Sequence, residues 1–333
     1  MKNLYALAEF GKVTLREETI GHPGPGQVLL KAITTALSPG TERGIMEASE
    51  FPLPQRLGYA YYGEVIEIGE NVQTLKVGDH VVATGQHQQY IILPEFICTP
   101  VPEGIAPEIA PFFNLCHTAM YGIRRSKIQL GESVLVLGQG IIGSLLAQQA
   151  KLAGACPVIV TGRTDKKLEF AKSLGIHHCI NVRKDPDALK KLVDEIGGVD
   201  VVFEAAGDPS LLQEATTYVA ERGRVMCMSS LHPGDSLDLR DLYMKGASFI
   251  GGYVNSKPFA LKRYDLYIDP NNWPPKLDPQ LRRFVSSDIW TSDEDIRTIL
   301  KLMKYDMLKI KPYISKVWNY KDISEAYDCV WRK

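Results

Sequence analysis

Apolar and polar residues follow two different rhythms along this chain. From Tyr62 to Gly69 (Tyr-Gly-Glu-Val-Ile-Glu-Ile-Gly) they alternate with period two, as a half-buried strand should. Gln27 to Ala32 is β-rich and follows the turn-forming run Gly21-His22-Pro23-Gly24-Pro25-Gly26. Val77 to Ala83 predicts another short strand, entered through Gly78-Asp79. Short strands at this spacing predict a small, barrel-like β domain in the first part of the chain.

After about residue 116 the rhythm changes. Ser133 to Leu137 is an apolar run of the kind found in a strand buried on both faces of a parallel sheet. Helical sequence follows from Ile141 to Leu152, then a second buried strand at Val158-Ile159-Val160. Helices at Leu168–Leu174 and Pro186–Ile196 alternate with strands at Cys179–Asn181, Val199–Glu204 and Gly223–Met228. Alternation of this kind predicts a doubly wound α/β domain.

Residues 254–290 break the pattern, with five prolines from Pro258 to Pro279, and predict an irregular insertion. A capping box at Thr291 and Glu294 then opens a helix with apolar positions Ile296, Ile299, Leu300 and Met303. A second box, Asp322 with Glu325, opens a final helix through Tyr327 to Trp331. The expected division is 1–115 with 291–333 as a β-rich domain, 116–253 as the doubly wound α/β domain, and 254–290 as the insertion. No internal repeat or low-complexity segment is visible.

Composition narrows the function classes. The chain has 333 residues, 45% hydrophobic and 23% charged, with 38 Lys+Arg against 39 Asp+Glu. That balance is globular and offers no basic patch for nucleic acid or an anionic membrane. No apolar run is long enough to span a bilayer, and the first residues lack the apolar stretch of a signal peptide. The six cysteines (98, 116, 156, 179, 227 and 329) form no CxxC pair, which suits reduced thiols in a cytoplasm.

The strongest motif is Gly138-Gln139-Gly140-Ile141-Ile142-Gly143, set between the first buried strand and its helix. The first glycine permits the tight turn, the second lets a pyrophosphate approach, and the third packs helix on strand. The helix N-terminus then offers free N–H groups to phosphate. At the end of the second strand, where an NAD site places an acidic residue, stand Thr161-Gly162-Arg163. A small residue followed by a guanidinium suits a 2′-phosphate, so NADP(H) is the expected cofactor. NAD(H) stays open, because Arg163 can stack on adenine while Asp165 reaches a 2′-hydroxyl. Thr161, Lys167, Ala206, Gly207 and Ser229 complete the expected cofactor-binding set.

Taken together, these segments resemble the medium-chain dehydrogenase/reductase superfamily, the zinc-alcohol-dehydrogenase-like proteins. The resemblance runs through Gly24-Pro25-Gly26-Gln27-Val28, Tyr59 to Val65, Val77 to Val81, Thr118-Ala119, Gly131 to Gly138, Val202 to Gly207, and Ser324 to Tyr327. It implies a GroES-like catalytic domain, a Rossmann coenzyme domain and a cleft between them. It also implies a homodimer or homotetramer, often paired near the segment matching Phe249 to Gly252.

Against that pattern the zinc ligands are missing. The family's Cys-Gly-Thr-Asp-like segment is here Pro39-Gly40-Thr41-Glu42, its Gly-His-Glu is Gly58-Tyr59-Ala60, and its third ligand falls on Asn114. The lobe that holds a structural zinc is replaced by the short run Gly85 to Tyr90. Cys116 and His117 have no third partner at metal spacing, so no metal site is expected. Ser38 to Glu42 is also similar to a segment of zinc-free branches of the superfamily, which points to a sugar-, cyclitol- or specialised-metabolite-like substrate.

Without zinc, a hydrogen-bond donor must stabilise the developing alkoxide. Tyr59 is the first candidate. Thr41 matches the family's relay hydroxyl, His87 and His117 are candidate proton shuttles, and Asn114 is a candidate for holding a substrate hydroxyl. Glu42 is expected to make a structural ion pair. The leading expectation is a zinc-independent NADP(H)-dependent oxidoreductase interconverting a secondary alcohol and a ketone or aldehyde. A quinone or enone reductase and a non-catalytic NADPH-binding protein are the alternatives.

Overall fold

A computed structural model describes residues 1–9, 11–47, 53–229, 231, 234–257 and 290–331. The chain divides into two compact units, Met1–Asn114 with Ile296–Lys333, and Leu115–Asp295.

In the first unit, β1 (Lys2–Glu9) and β2 (Lys12–Thr19) form an antiparallel hairpin, extended on the other side of β1 by β4 (Gln55–Arg56). A second, five-stranded antiparallel sheet has the order β7-β3-β5-β6-β8. Its members are β3 (Gln27–Thr35), β5 (Tyr61–Ile68), β6 (His80–Ala83), β7 (Tyr90–Pro94) and β8 (Thr99–Pro100). The strand read from Tyr62 onward is β5, but its inward residues are Tyr61 and Val65, which pack with Val28, Leu30, Val81 and Ile91, whereas Ile68, on the opposite face, is exposed. Between β3 and β4 lies a helix the alternation did not reveal, α1 (Pro39–Glu47). Pro-Gly reads as a loop, yet proline is favoured at the first helical position, where no N–H is needed.

The second unit begins in α2 (Phe113–Ser126) and is built on a parallel sheet of order β11-β10-β9-β12-β13-β14. Its strands are β9 (Val134–Leu137), β10 (Val158–Gly162), β11 (His178–Asn181), β12 (Val199–Glu204), β13 (Val219–Cys227) and β14 (Ser248–Gly251). The crossovers are α3 (Ile141–Leu152), α4 (Asp165–Ser173), α5 (Ala188–Ile196), α6 (Pro209–Tyr218) and α7 (Arg240–Lys245). In order of appearance the strands lie 3-2-1-4-5-6, the doubly wound dinucleotide-binding arrangement. β9 is buried at every position, which explains its unbroken apolar run.

The insertion expected at 254–290 lies, from 258 to 289, outside the described residues. After it, the capping box at Thr291 is realised. Thr291 N–H donates to Glu294 Oε2 at 2.9 Å and Glu294 N–H donates to Thr291 Oγ1 at 3.3 Å, opening α8 (Ser292–Lys304). The chain's last described helix is α9 (Ile323–Trp331), which packs on β2 and α1 in the first unit. Among the described residues, no helix is long and apolar enough to cross a membrane.

Candidate functional site

Two polar constellations stand out, one in each unit. In the second unit, strand order reverses between β9 and β12, where a doubly wound sheet opens a crevice at the carboxyl ends of its strands. The turn from β9 into α3 occupies that point. Gly138 adopts φ +101°, and a Cβ on Gly143 would lie 2.0 Å from the Gly138 carbonyl oxygen, so both must be glycine. A Cβ on Gly140 would meet nothing within 4 Å, leaving open space beside the backbone. Gly140, at the N-cap of α3, has no side chain with which to cap the N–H groups of the first turn. Gln139 is buried, and its Oε1 has no hydrogen-bond partner among the described residues. An unbonded buried acceptor beside an open backbone face fits a nucleotide that brings both phosphate and hydroxyl donors.

Around this turn the other expected cofactor residues gather at strand ends. Thr161 and Gly162 close β10, both buried, and Arg163 follows with its guanidinium 3.5 Å from Asp208 and its side chain 59% exposed. Asp165 is already engaged, one oxygen by Asn181 Nδ2 and the other by Lys184 Nζ, each at 2.7 Å. Lys167 is exposed on α4. Ala206 and Gly207 donate backbone N–H groups to Glu204 Oε1 at 2.7 and 2.9 Å, and the Ser229 hydroxyl donates to Glu204 Oε2. Glu204 itself is fully buried and ties three cofactor candidates together. Sequence reasoning passed over it, although an acidic residue ending a buried strand is a signal in its own right.

In the first unit, chain segments far apart in sequence converge on Glu42. Its Oε1 accepts the Ser38 N–H at 2.8 Å. Its Oε2 accepts from the Tyr327 hydroxyl and lies 3.3 Å from His87 Nε2. His87 Nδ1 is 2.8 Å from Thr35 Oγ1. Glu42, His87 and Tyr327 are 1%, 2% and 0% exposed, so the ring that meets the Glu42 carboxylate lies in the core. The short run Gly85 to Tyr90 carries His87 inward. Its N–H donates to Leu57 O at 2.8 Å, and its carbonyl accepts from Ala6 N–H at 2.9 Å and from the Tyr320 hydroxyl at 2.5 Å. Gly58 yields the space: it adopts φ +96°, and a Cβ there would fall 2.7 Å from the His87 ring.

Tyr59 follows Gly58. The hydroxyls of Ser38 and Thr41 are near enough to its phenol to favour the ionised form. Burial pushes that phenol above its ordinary range, the two hydroxyls pull it back, and the Glu42 carboxylate pushes it up again. Asn114 donates from Nδ2 to Tyr59 O at 3.1 Å and to Thr84 Oγ1 at 3.3 Å, so its amide nitrogen braces the Tyr59 backbone. Tyr59, Thr41, His87 and Asn114 thus belong to one neighbourhood. Tyr327 was missed, because nothing local marks a tyrosine of a terminal helix as the partner of a carboxylate 285 residues away.

His117 stands on α2 as well, three residues after Asn114. It is 8% exposed, and its Nε2 has no hydrogen-bond partner among the described residues. Burial, aided by the positive charge of Lys257, holds its pKa down to about 3. Lys257 in turn pairs with Asp295, which also accepts from Arg124 Nε at 3.3 Å.

Comparison with known proteins agrees with this layout. Residues 24–103 match the alcohol dehydrogenase GroES-like domain, and residues 142–266 match the zinc-binding dehydrogenase domain. L-threonine 3-dehydrogenase of Pyrococcus abyssi (strain GE5 / Orsay) is 32% identical over 276 residues, covering 72% of this chain and 78% of the relative. L-threonine 3-dehydrogenase of Escherichia coli O1:K1 / APEC is 29% identical over 302 residues, covering 78% and 86%. A crystal structure from Sinorhizobium meliloti 1021, described as a zinc-binding dehydrogenase bound to NADP, superposes with a TM-score of 0.79 at 20% identity, covering 98% and 95%. At that identity the likeness shows the fold alone. The chain belongs to the medium-chain dehydrogenase/reductase superfamily, in its zinc-type alcohol-dehydrogenase-like division. It is an oxidoreductase of the alcohol dehydrogenase class.

Proposed function

We propose that this enzyme interconverts a secondary alcohol and a ketone or aldehyde with NADP(H), without zinc, on a polar substrate of sugar-, cyclitol- or specialised-metabolite-like character. The observation that carries the reading is the donor set. At the three positions where the family's catalytic metal is held stand Pro39, Tyr59 and Asn114, none a thiolate, imidazole or carboxylate. Asn114 is spent bracing Tyr59 and Thr84, and no group of three or more His, Cys, Asp or Glu among the described residues could hold a metal ion. The residues present do not fit zinc.

A bound nicotinamide supplies or accepts the hydride. The chain's own part begins with the β9–α3 turn, which holds the phosphates through backbone N–H groups. Arg163 and Lys167 are the groups for a 2′-phosphate. Engagement of both Asp165 oxygens removes the carboxylate that would otherwise serve a 2′-hydroxyl, which favours NADP(H) over NAD(H). Tyr59 donates to the substrate oxygen. Its raised affinity for the phenolic proton keeps it a donor at neutral pH, and Thr41 lies beside it as a second hydroxyl. The likeness to L-threonine 3-dehydrogenases agrees with alcohol oxidation but names no substrate for this chain.

The reading extends to assembly. β14 is an edge strand of the parallel sheet, and Tyr243, Met244, Phe249 and Tyr253 are all exposed around it. A second copy of the chain pairing there would cover both the edge and the apolar side chains.

The test is elemental metal analysis of purified protein with NADPH and NADH titrations of the same sample. Zinc below about a tenth of an equivalent, with tighter NADPH binding, is the expected outcome. Near one zinc per chain, lost together with activity on chelation, would sink the zinc-free reading.

A further inference from the structure

Arg163, the guanidinium assigned to a 2′-phosphate, already faces an anion of the chain itself. Its Nη2 lies 3.5 Å from Asp208 Oδ2, and Asp208 is its ion-pair partner among the described residues. The two residues follow the carboxyl ends of β10 and β12, the strands on either side of β9. The glycine turn that leaves β9 for α3 therefore starts between them. The partners differ in freedom. Asp208 is the N-cap of α6, and its Oδ1 accepts both the Ser210 N–H at 3.0 Å and the Ser210 hydroxyl at 2.7 Å. Those bonds hold the carboxylate in place and leave Oδ2 to Arg163. The Arg163 side chain, 59% exposed on a long flexible stem, can turn away.

The other acid close to Arg163 in sequence is placed differently. Asp165 meets the ammonium of Lys184 on one oxygen and Asn181 on the other, so its charge is balanced without Arg163. The donors from Ser210 are neutral, and Arg163 is the cation that balances Asp208. A phosphate monoester carries about −1.5 to −2 charges at neutral pH. To bind Arg163 it must either draw the guanidinium off Asp208 or share it and lie close to a like charge. Both routes cost affinity. A ribose with a free 2′-hydroxyl meets neither cost.

We propose that Asp208 is a specificity-determining residue for the nucleotide: held at the cap of α6, it competes with a 2′-phosphate for Arg163 and so limits the margin by which NADP(H) is favoured over NAD(H). The inference rests on the reading that Arg163 binds the 2′-phosphate. Preference between the two nucleotides is a difference of two affinities. A competing carboxylate narrows that difference by acting on the one group in which the nucleotides differ. The pair is exposed to solvent, so the competition is a matter of a few-fold and not of orders of magnitude.

The experiment is fluorescence titration of the full-length protein with NADPH and with NADH at low salt, where exposed charges are least screened. Asp208→Asn removes the charge and keeps a good N-cap, so α6 retains its first turn. NADPH is expected to bind about three- to tenfold more tightly, and NADH to stay within about twofold of the unaltered chain. In an Arg163→Ala background the same replacement is expected to give less than about half of that gain, because no guanidinium is left to release. Unmoved NADPH binding in Asp208→Asn overturns the proposal. Weaker NADPH binding overturns it too, and makes Asp208 a residue that orients Arg163. Equal tightening of both nucleotides, or a gain undiminished in Arg163→Ala, has the same consequence. The parent reading fails by a separate sign, with Arg163→Ala alone weakening NADPH and NADH alike. If Arg163→Ala singles out NADPH while Asp208→Asn leaves it unmoved, only the competition falls.

Discussion

The nucleotide turn of the second unit and the Glu42 cluster of the first solve the same problem in opposite ways. Each must present polar groups where water is scarce. The turn does so with backbone: six consecutive residues, three of them glycine, use main-chain N–H groups and the absence of side chains. The cluster does so with side chains, drawn from β3, the β4–β5 and β6–β7 connections, α1 and α9. A backbone device is specified by adjacency and tolerates no added atom. A side-chain device is specified by the fold and tolerates no missing partner, since removal of one partner strands a buried charge at about 3–5 kcal/mol.

Breaking each device separately should give mirror-image defects. The largest effect is expected for Gly143→Val, whose Cβ would have to share space with the Gly138 carbonyl at 2.0 Å. NADPH binding, followed by fluorescence titration, should fall beyond about a hundredfold, because the turn cannot close on its helix. Tyr59→Phe is the counterpart in the other unit. Turnover should drop about a hundredfold while NADPH affinity stays within about twofold, the pattern of a donor that acts on the reacting oxygen. Equal losses of binding and turnover would erase the proposed division of labour. A smaller effect sharpens the nucleotide side: Arg163→Ala should weaken NADPH about tenfold and leave NADH nearly unchanged. Parallel loss of both nucleotides would remove the 2′-phosphate from the guanidinium.

What could be read before folding follows the same division. The helix expected from Ile141 to Leu152 is α3 with the same ends, and the strand expected at Val199–Glu204 is β12 with the same ends. Both sit inside a repeating strand–helix pattern in which burial on two faces leaves an unmistakable apolar run. α1 escaped notice because its first two residues, Pro39 and Gly40, speak locally for a turn. His87 and His117 look alike as candidate shuttles in the sequence, and the fold gives them different surroundings. One is bonded through both ring nitrogens to Thr35 and Glu42, and the other is buried beside the positive charge of Lys257.

The sequence by itself determined the class of fold and the family, and it carries the expected place of the nucleotide and the replacement of the family's ligand residues by Pro39, Tyr59 and Asn114. Each of those depends on residue types at short, fixed separations: a glycine spacing, an apolar period, a position next to a motif. Only the tertiary structure decided that Glu42, His87 and Tyr327 form one buried unit behind Tyr59, that Asp165 is occupied by Asn181 and Lys184, and that Asn114 braces a backbone. Those are contacts between segments tens to hundreds of residues apart. No local pattern encodes them, because a buried charge is satisfied by whichever donors the finished fold brings to it.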